Sequence, residues 1–147
     1  MGRKDTRAAQ AAQEIGQFCV AGRMRKLTRA VTSIYDRALK PHGIRAGQLT
    51  ILSLSAGFGT ISARELERYL LMEASTVSRT LRRMRDCGWI ETRREGRRLL
   101  VSVTKGGSQL LARALPAWRA AQTEAEAVLG RDGFETIARL ANSLPTS

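Results

Sequence analysis

The chain has 147 residues, enough for one domain with a buried core and too few for a separate enzyme domain beside it. Its 25 Lys and Arg residues outnumber 13 Asp and Glu residues, and the net charge of +12 favours a polyanionic partner such as nucleic acid. No apolar run reaches the roughly 18 residues of a membrane span, and the N-terminus lacks an apolar signal core. We therefore expect a cytoplasmic protein without a membrane partner.

The sequence contains no pattern typical of an enzyme or a metal site. Cys19 and Cys87 do not form a CxxC pair, and His42 is the only histidine, which argues against zinc bound by the usual ligands. There is no nucleophile with an adjacent base, and no glycine loop that would hold a phosphate. We predict a protein that is not an enzyme and that uses no metal or cofactor.

The N-terminal part is predicted to form one long helix. Apolar residues recur at helical spacing from Ile15 to Ala38, and the helix should end before Pro41. This apolar stripe is longer than a small domain needs, so part of it is expected to face a second subunit. Residues 46–56 are then predicted to form a mostly buried helix.

A short capped helix is predicted to follow. Ser62 and Glu65 fit a capping box, in which each side chain accepts a hydrogen bond from the other residue's backbone. Ile61 and Leu66 lie where a hydrophobic staple would place them. A tight turn then leads to a second helix at Ser75.

The second helix, predicted from Ser75 to Cys87, has two contrasting faces. Val77, Leu81 and Met84 lie on one stripe because their spacing is i, i+4 and i+7. The opposite face offers hydroxyl and guanidinium groups, which can bond base edges and phosphates in the major groove of DNA. Its residues are Ser75, Ser78, Arg79, Arg82 and Asp86, with Thr76 and Arg83 at its flanks.

A basic β-hairpin is predicted directly after this helix. Gly88 is suited to close the helix in the left-handed conformation. Residues 89–93 and 99–103 are rich in aromatic and β-branched side chains, which predicts two strands with Gly96 in the turn between them. The arginines at the tip can reach the DNA backbone or a narrow minor groove.

The C-terminal part is predicted to be helical as well. Thr104 is a suitable N-cap for a long helix, which Pro116 should kink or end. In a monomer the terminal helices would have little to pack on except each other. A two-fold dimer would bury them and would set two DNA-reading helices about one turn of DNA apart.

Four segments carry a resemblance to a known family. They are the run STVSR at 75–79, the pair Leu81 and Met84, the run CGWI at 87–90, and residues 97–104 with the Lys105-Gly106 that follows. This pattern resembles the winged helix-turn-helix of the multiple-antibiotic-resistance regulator (MarR) family. The resemblance implies a mainly α fold with a small β-wing, organised as a single domain over 1–147. It places the winged helix-turn-helix at 46–103 and dimerisation helices at 10–40 and 105–147.

The resemblance also implies a homodimer on a pseudopalindromic double-stranded DNA operator. We expect Ser75, Ser78, Arg79 and Arg82 to read the major groove, and Thr76, Arg83 and the wing arginines to bind phosphates. The family often carries an Asp followed by two arginines in the wing, whereas this chain has Glu95, Gly96 and Arg97. We expect Arg97 to enter the minor groove, with Arg94 or Arg98 as possible substitutes.

Members of the family are frequently repressors released by a small phenolic or aromatic acid ligand. Arg25 or Arg29 could pair with such a carboxylate, and His42 or Trp118 could line an aromatic slot. Each also fits a purely structural role, as a solvated charge, a loop residue or a packing residue. Cys19 offers a different signal, because peroxide-sensing members carry a reactive cysteine near the start of their first long helix; it also fits an inert position on an apolar stripe.

We therefore expect a homodimeric, sequence-specific DNA-binding transcriptional regulator, and more specifically a repressor released by a small aromatic ligand. Two alternatives remain open: a repressor that senses redox state through Cys19, and a protein that coats nucleic acid without reading its sequence. The two Trp, two Tyr and three Phe residues provide few rings for stacking on bases, which argues against a single-strand coat.

Overall fold

A computed structural model describes residues 6–145 and gives a mainly α-helical fold with one small sheet. The N-terminal helices are α1 (Thr6–Phe18), α2 (Val20–Leu39) and α3 (Ala46–Phe58), with a short 3-10 helix at Lys40–His42. The central elements are β1 (Thr60–Ser62), α4 (Ala63–Leu70), α5 (Ala74–Asp86), β2 (Ile90–Glu95) and β3 (Arg98–Val103), and α6 (Lys105–Ser143) comes last. The predicted fold class is confirmed. The ends of the predicted 1–147 domain, residues 1–5 and 146–147, lie outside the described residues.

The chain divides into two compact units between Ser33 and Ile34. In the first unit, no residue of α1 is buried. The sequence predicts one continuous helix here, whereas the structure has a break of one residue, Cys19, between α1 and α2, across which the Cys19 N–H still donates to the Ile15 carbonyl. Gly16 and Gly22 flank the break, and each glycine disfavours a helix by about 1 kcal/mol relative to alanine.

The second unit contains a hydrophobic core built mainly from α3, α4, α5 and the sheet. The predicted apolar stripe of α5 is confirmed, since Val77, Leu81 and Met84 are all buried. Other members of this core are Leu39, Ile44, Leu49, Ile51, Leu52, Ile61, Leu66, Ile90, Val101, Leu110 and Ala114. The packed face of α5 thereby fixes which of its residues face outward.

The sheet is antiparallel, with its strands in the order β1-β3-β2. Strands β2 and β3 pair as far as Glu95 opposite Arg98, which leaves Gly96 and Arg97 as the turn. Gly96 has a φ of 59°, and this left-handed first position suits a two-residue hairpin turn. The hairpin is predicted from sequence, but β1 is not, because three residues beside a capping box give too short a pattern for a strand.

Helix α6 begins as predicted, since the Thr104 side chain accepts a hydrogen bond from the Gly107 backbone N–H. The helix does not end at Pro116, one of the two outcomes predicted there: the helical span continues through Pro116, and the non-helical residue inside it is Gly130, with φ 68° and ψ 161°. Proline removes a hydrogen bond to the carbonyl of Ala112. Both residues are exposed, so water can bond that carbonyl.

Helix α6 is also tied to the end of α2 within the second unit. The Tyr35 hydroxyl donates to Oε1 of Gln122 at 2.5 Å, and Arg37 forms an ion pair with Glu124. Burial raises the pKa of Tyr35, and the nearby charge of Glu126 adds to the increase. Within residues 6–145, none of the helices is both long and apolar enough to cross a bilayer.

Candidate nucleic-acid interface

Helix α4 is held at its start by the predicted capping box. The Ser62 backbone N–H donates to Oε2 of Glu65 at 2.8 Å, and the Glu65 N–H donates to the Ser62 hydroxyl at 3.2 Å. The hydrogen bonds from Ser62 hold the pKa of Glu65 below its usual range, and the charges of Arg98 and Arg68 lower it further. The helix ends at Leu71, which is left-handed with φ 50°. A turn of three residues then leads into α5.

Helix α5 presents the predicted polar face to solvent. It begins at Ala74, one residue before the predicted start. Its serine and arginine residues are exposed, whereas Thr76 and Thr80 are half-buried. The Thr76 hydroxyl accepts a 3.4 Å hydrogen bond from Arg79. The exposed members are Ser75, Ser78, Arg79, Arg82, Arg83 and Arg85. The packed stripe and this face therefore lie on opposite sides of one helix.

The end of α5 fixes the direction in which the hairpin leaves. Gly88 is left-handed with φ 73°. Its N–H donates to the Arg85 carbonyl at 2.8 Å, and the Trp89 N–H donates to the Met84 carbonyl at 3.0 Å. This pair of bonds is the Schellman motif, which satisfies the last carbonyls of a helix. The role predicted for Gly88 is confirmed.

The base of the hairpin is also fixed to the start of α6. The Thr104 N–H donates to the Trp89 carbonyl at 3.1 Å, and the Thr104 hydroxyl donates to the Gly88 carbonyl at 2.6 Å. A Cβ on Gly107 would lie 2.1 Å from the Trp89 carbonyl oxygen, so the close approach of the two backbones requires glycine. The hairpin is thus anchored to α5 and α6 by backbone contacts.

The arginines of the hairpin fall into two groups. Arg93 pairs with Glu95 at 3.3 Å, and Arg98 pairs with Glu65 of α4 at 3.6 Å. Within residues 6–145, no ion pair is recorded for Arg94 or Arg97. All four side chains are exposed. Arg94 and Arg97 are consequently the wing cations without an acidic partner in the described chain.

Two grooves run along the hairpin, and both are rich in arginine. The first, of about 340 Å³, lies between α5 and the hairpin and is lined by Ser78, Leu81, Arg82, Arg85, Thr92, Arg94 and Leu99. The second, of about 800 Å³, lies between α4 and the hairpin and is lined by Ser62, Ala63, Arg64, Glu65, Glu67, Arg68, Arg97, Arg98 and Leu99. A groove with three arginines and no acid, such as the first, suits a phosphate or another anion.

Sequence reasoning missed Arg85, Arg64 and Arg68 as members of this basic surface. Arg85 was within reach of a pattern argument, because it lies seven residues after Ser78 and so shares its face of α5. The two α4 arginines carry no such signal. Their place beside the hairpin depends on how α4 packs against the sheet.

The residues proposed to bind an effector are not assembled into a site by any recorded bond. Arg25 and Arg29 are exposed residues of α2 in the first unit. In the second unit, His42 is half-buried in the 3-10 helix and Trp118 lies on α6 with 37% exposure, and no recorded hydrogen bond joins them. The described residues also contain no cluster of three or more His, Cys, Asp or Glu side chains able to hold a metal ion.

Comparison with known sequences agrees with this geometry. The sequence model of the MarR family matches residues 42–98, which contain helices α3, α4 and α5, strand β2 and the hairpin turn. An uncharacterized HTH-type transcriptional regulator of Bacillus subtilis, YwoH, is 34% identical over 80 residues. That match covers 52% of this chain and 58% of the relative, so it spans little more than half of the relative's length. Residues 42–98 therefore resemble the MarR family in sequence.

Solved structures extend the likeness to most of the chain. A mutant of E. coli MarR complexed with operator DNA has a TM-score of 0.77 and 21% identity, and the match covers 89% of this chain and 97% of that one. A probable transcriptional regulator from Pseudomonas aeruginosa has a TM-score of 0.74 and 25% identity, with coverage of 86% and 96%. These likenesses establish the MarR winged-helix fold. The matched family model and these solved structures are those of transcriptional regulators.

Proposed function

We propose that this protein is a homodimeric regulator that binds double-stranded DNA in a sequence-specific manner in the cytoplasm. The observation that carries the proposal is the exposed face of α5. Ser75, Ser78, Arg79 and Arg82 lie opposite a buried stripe, on a helix of the width that the major groove admits. Arg94 and Arg97 extend the same basic surface along the hairpin. In the operator complex of E. coli MarR, a chain of this fold is bound to DNA.

Exposed apolar residues at both ends of the chain support the dimer. In the first unit, Phe18 and Val20 are each 70% exposed. In the second unit, Val128, Leu140 and Leu144 are each more than half exposed. A second copy would remove this surface from water, and its two-fold symmetry would match a pseudopalindromic operator.

We propose the repressor role, and its release by a small phenolic or aromatic acid ligand, from the resemblance to the family alone. Arg25, Arg29, His42 and Trp118 stay the proposed contacts. The direct test is titration of a preformed protein–DNA complex with aromatic carboxylates such as salicylate. Dissociation at concentrations that leave the protein folded would support the ligand. Unchanged binding over the whole series would exclude this class of effector.

One observation favours the alternative of redox sensing. Cys19 lies at the break between α1 and α2 rather than in a core, and its sulfur accepts a 3.4 Å hydrogen bond from the Gly22 N–H. A thiol at the start of a helix is better placed to react than a packed one. Arg23 donates to the Gln17 carbonyl, and no hydrogen bond between its guanidinium and the Cys19 sulfur is recorded. Loss of DNA binding after peroxide treatment in the wild type, but not in Cys19→Ser, would establish this alternative.

The experiment that tests the main proposal is fluorescence anisotropy of the purified protein with DNA from its own upstream region. Random-sequence DNA is the control, and both are titrated at two salt concentrations. We expect binding at least 1,000-fold tighter to the specific DNA, as in other specific regulators, with one dimer per site. Equal and salt-sensitive affinity for both DNAs would instead identify a protein that coats nucleic acid without reading it.

A further inference from the structure

We propose that Glu65 of helix α4 positions the wing by holding Arg98, which leaves Arg97 as the wing residue that contacts DNA. The inference rests on the proposed DNA-binding function, because it divides the roles within that same interface. It also changes the role expected for Arg98, which the family resemblance offers as a possible substitute for Arg97. Under this proposal Arg98 orients the hairpin and does not itself enter a groove of the DNA.

The Glu65 carboxylate is held in place by hydrogen bonds that do not involve Arg98. Its Oε2 atom accepts hydrogen bonds from both the backbone N–H and the hydroxyl of Ser62. Ser62 is 5% exposed, and it caps α4 and pairs with Leu100 of β3. The guanidinium of Arg98 lies 3.6 Å from the same Oε2 atom. The capping box therefore presents a rigid acceptor to the hairpin.

The acid nearest to Arg98 within the hairpin is already engaged. Glu95 stands opposite Arg98 in the strand register, but its carboxylate pairs with Arg93 at 3.3 Å. Arg98 is the first residue of β3 and follows Arg97 directly in the chain. Restraining Arg98 therefore restrains the backbone at the turn and narrows the positions that Arg97 can occupy.

The direction in which DNA affinity changes when Glu65 is neutralised distinguishes a positioning role from a simple electrostatic effect. Glu65 lies in a groove lined by Arg64, Arg68, Arg97 and Arg98. If it were only an acid near DNA phosphates, neutralising it would strengthen DNA binding at every sequence. If it positions the wing, neutralising it would weaken specific binding. Glu67 lines the same groove, and within residues 6–145 no hydrogen bond or ion pair of its carboxylate is recorded, which makes it the matched control.

The test compares Glu65→Gln with Glu67→Gln in the full-length protein. Glutamine preserves the capping box, so α4 is expected to remain folded. We expect Glu65→Gln to lose three- to fivefold in affinity for the specific DNA, a small factor because both partners of the pair are partly exposed. Glu67→Gln should bind equally or more tightly. Adding Arg98→Gln to Glu65→Gln should cause little further loss, since both changes break the same contact. Tighter binding by Glu65→Gln would overturn the proposal.

Amide hydrogen exchange in the free protein provides a readout that does not depend on DNA. We expect faster exchange at the hairpin amides near Gly96 in Glu65→Gln and Arg98→Gln, and no change in Glu67→Gln. Unchanged exchange in all three variants would overturn the positioning role even where DNA binding is specific. If the wild type bound specific and random DNA equally, the proposed function would fail, and the exchange rates would still decide whether Glu65 holds the wing.

Discussion

The winged region, residues 46–103, and the first unit of the chain differ in how many contacts within the chain stabilise them. The winged region is held by contacts inside this chain: a buried stripe on α5, two helix caps and the backbone approach at Gly107. In the first unit, α1 buries no residue and Phe18 is 70% exposed. The difference indicates that contacts within a single copy shape the winged region, whereas α1 buries no residue in its own unit.

The largest effect is expected where the winged region joins α6. In Gly107→Ala the new Cβ would lie 2.1 Å from the Trp89 carbonyl oxygen and 2.8 Å from Cγ1 of Val103. Backbone atoms cannot yield as a flexible side chain can, so we expect a loss of about 2–4 kcal/mol in the free energy of unfolding. Urea denaturation at fixed protein concentration measures it. Gly57→Ala, where no atom lies within 4 Å of the new Cβ, should be neutral or stabilising. Similar losses of stability in both variants would contradict a steric role for the close approach at Gly107.

A charge on the exposed apolar surface of the first unit should break the dimer. We expect Phe18→Asp to weaken dimerisation by about 2–3 kcal/mol, as for a charge forced into an apolar interface. Sedimentation equilibrium of wild type and variant measures the dissociation constant. Phe58→Asp is the control, because Phe58 is 54% exposed but belongs to the winged region. If only Phe58→Asp shifted the equilibrium, the partner surface would have to lie in the winged region instead.

Specific reading of DNA is expected to depend on Arg79. We expect Arg79→Ala to cost about 1–3 kcal/mol on the specific DNA and much less on random DNA, because a bidentate contact to a base edge is lost. Anisotropy titrations on the two DNAs measure the difference. Arg113→Ala removes the same charge from helix α6 and should change neither affinity appreciably. Equal losses on both DNAs would reduce Arg79 to a phosphate contact.

A wing contact should behave differently from Arg79. In Arg97→Ala we expect weaker binding to all sequences and a fall of about 1 in the slope of log affinity against log salt. The measurement is the same titration at four or five salt concentrations. The stability of the free protein should stay unchanged, because Arg97 is exposed in the turn. An unaltered salt slope would remove Arg97 from the interface.

Local signals explain what the sequence could predict about this molecule. The capping box at Ser62, the apolar stripe from Val77 to Met84 and the left-handed Gly88 are each decided by residues within one or two helical turns. Because the sequence identifies the packed stripe of α5, it also identifies the residues on the opposite, exposed face. The outward direction of Arg79 and Arg82 therefore follows from sequence alone.

The features that sequence reasoning missed depend on contacts between distant segments or on a close balance of conformations. Strand β1 exists because Thr60–Ser62 finds a partner in β3, some 40 residues later. The pairing of Glu65 with Arg98 likewise arises only when α4 and the hairpin meet. At Cys19 the apolar pattern of a helix continues through the break. The two nearby glycines lower helix stability by a small amount, which the spacing of apolar residues does not reveal.

The smallest effect is expected at Leu71, in the turn between α4 and α5. It tests whether packing of the neighbouring helices forces this residue into a backbone conformation that leucine disfavours. Leu71 is the only non-glycine residue of positive φ among residues 6–145, with φ 50°, and its side chain is 62% exposed. Asparagine tolerates this conformation better than leucine, so Leu71→Asn should raise the free energy of unfolding by about 0.5 kcal/mol. Leu71→Ala removes the same side-chain contacts but keeps the backbone penalty, so it should be neutral or slightly destabilising. A gain in Leu71→Asn alone, measured by thermal denaturation, would mean that packing on both sides holds this turn against its own preference. Equal changes in both variants would assign the effect to the exposed side chain, and the turn would then impose no measurable strain on the winged region.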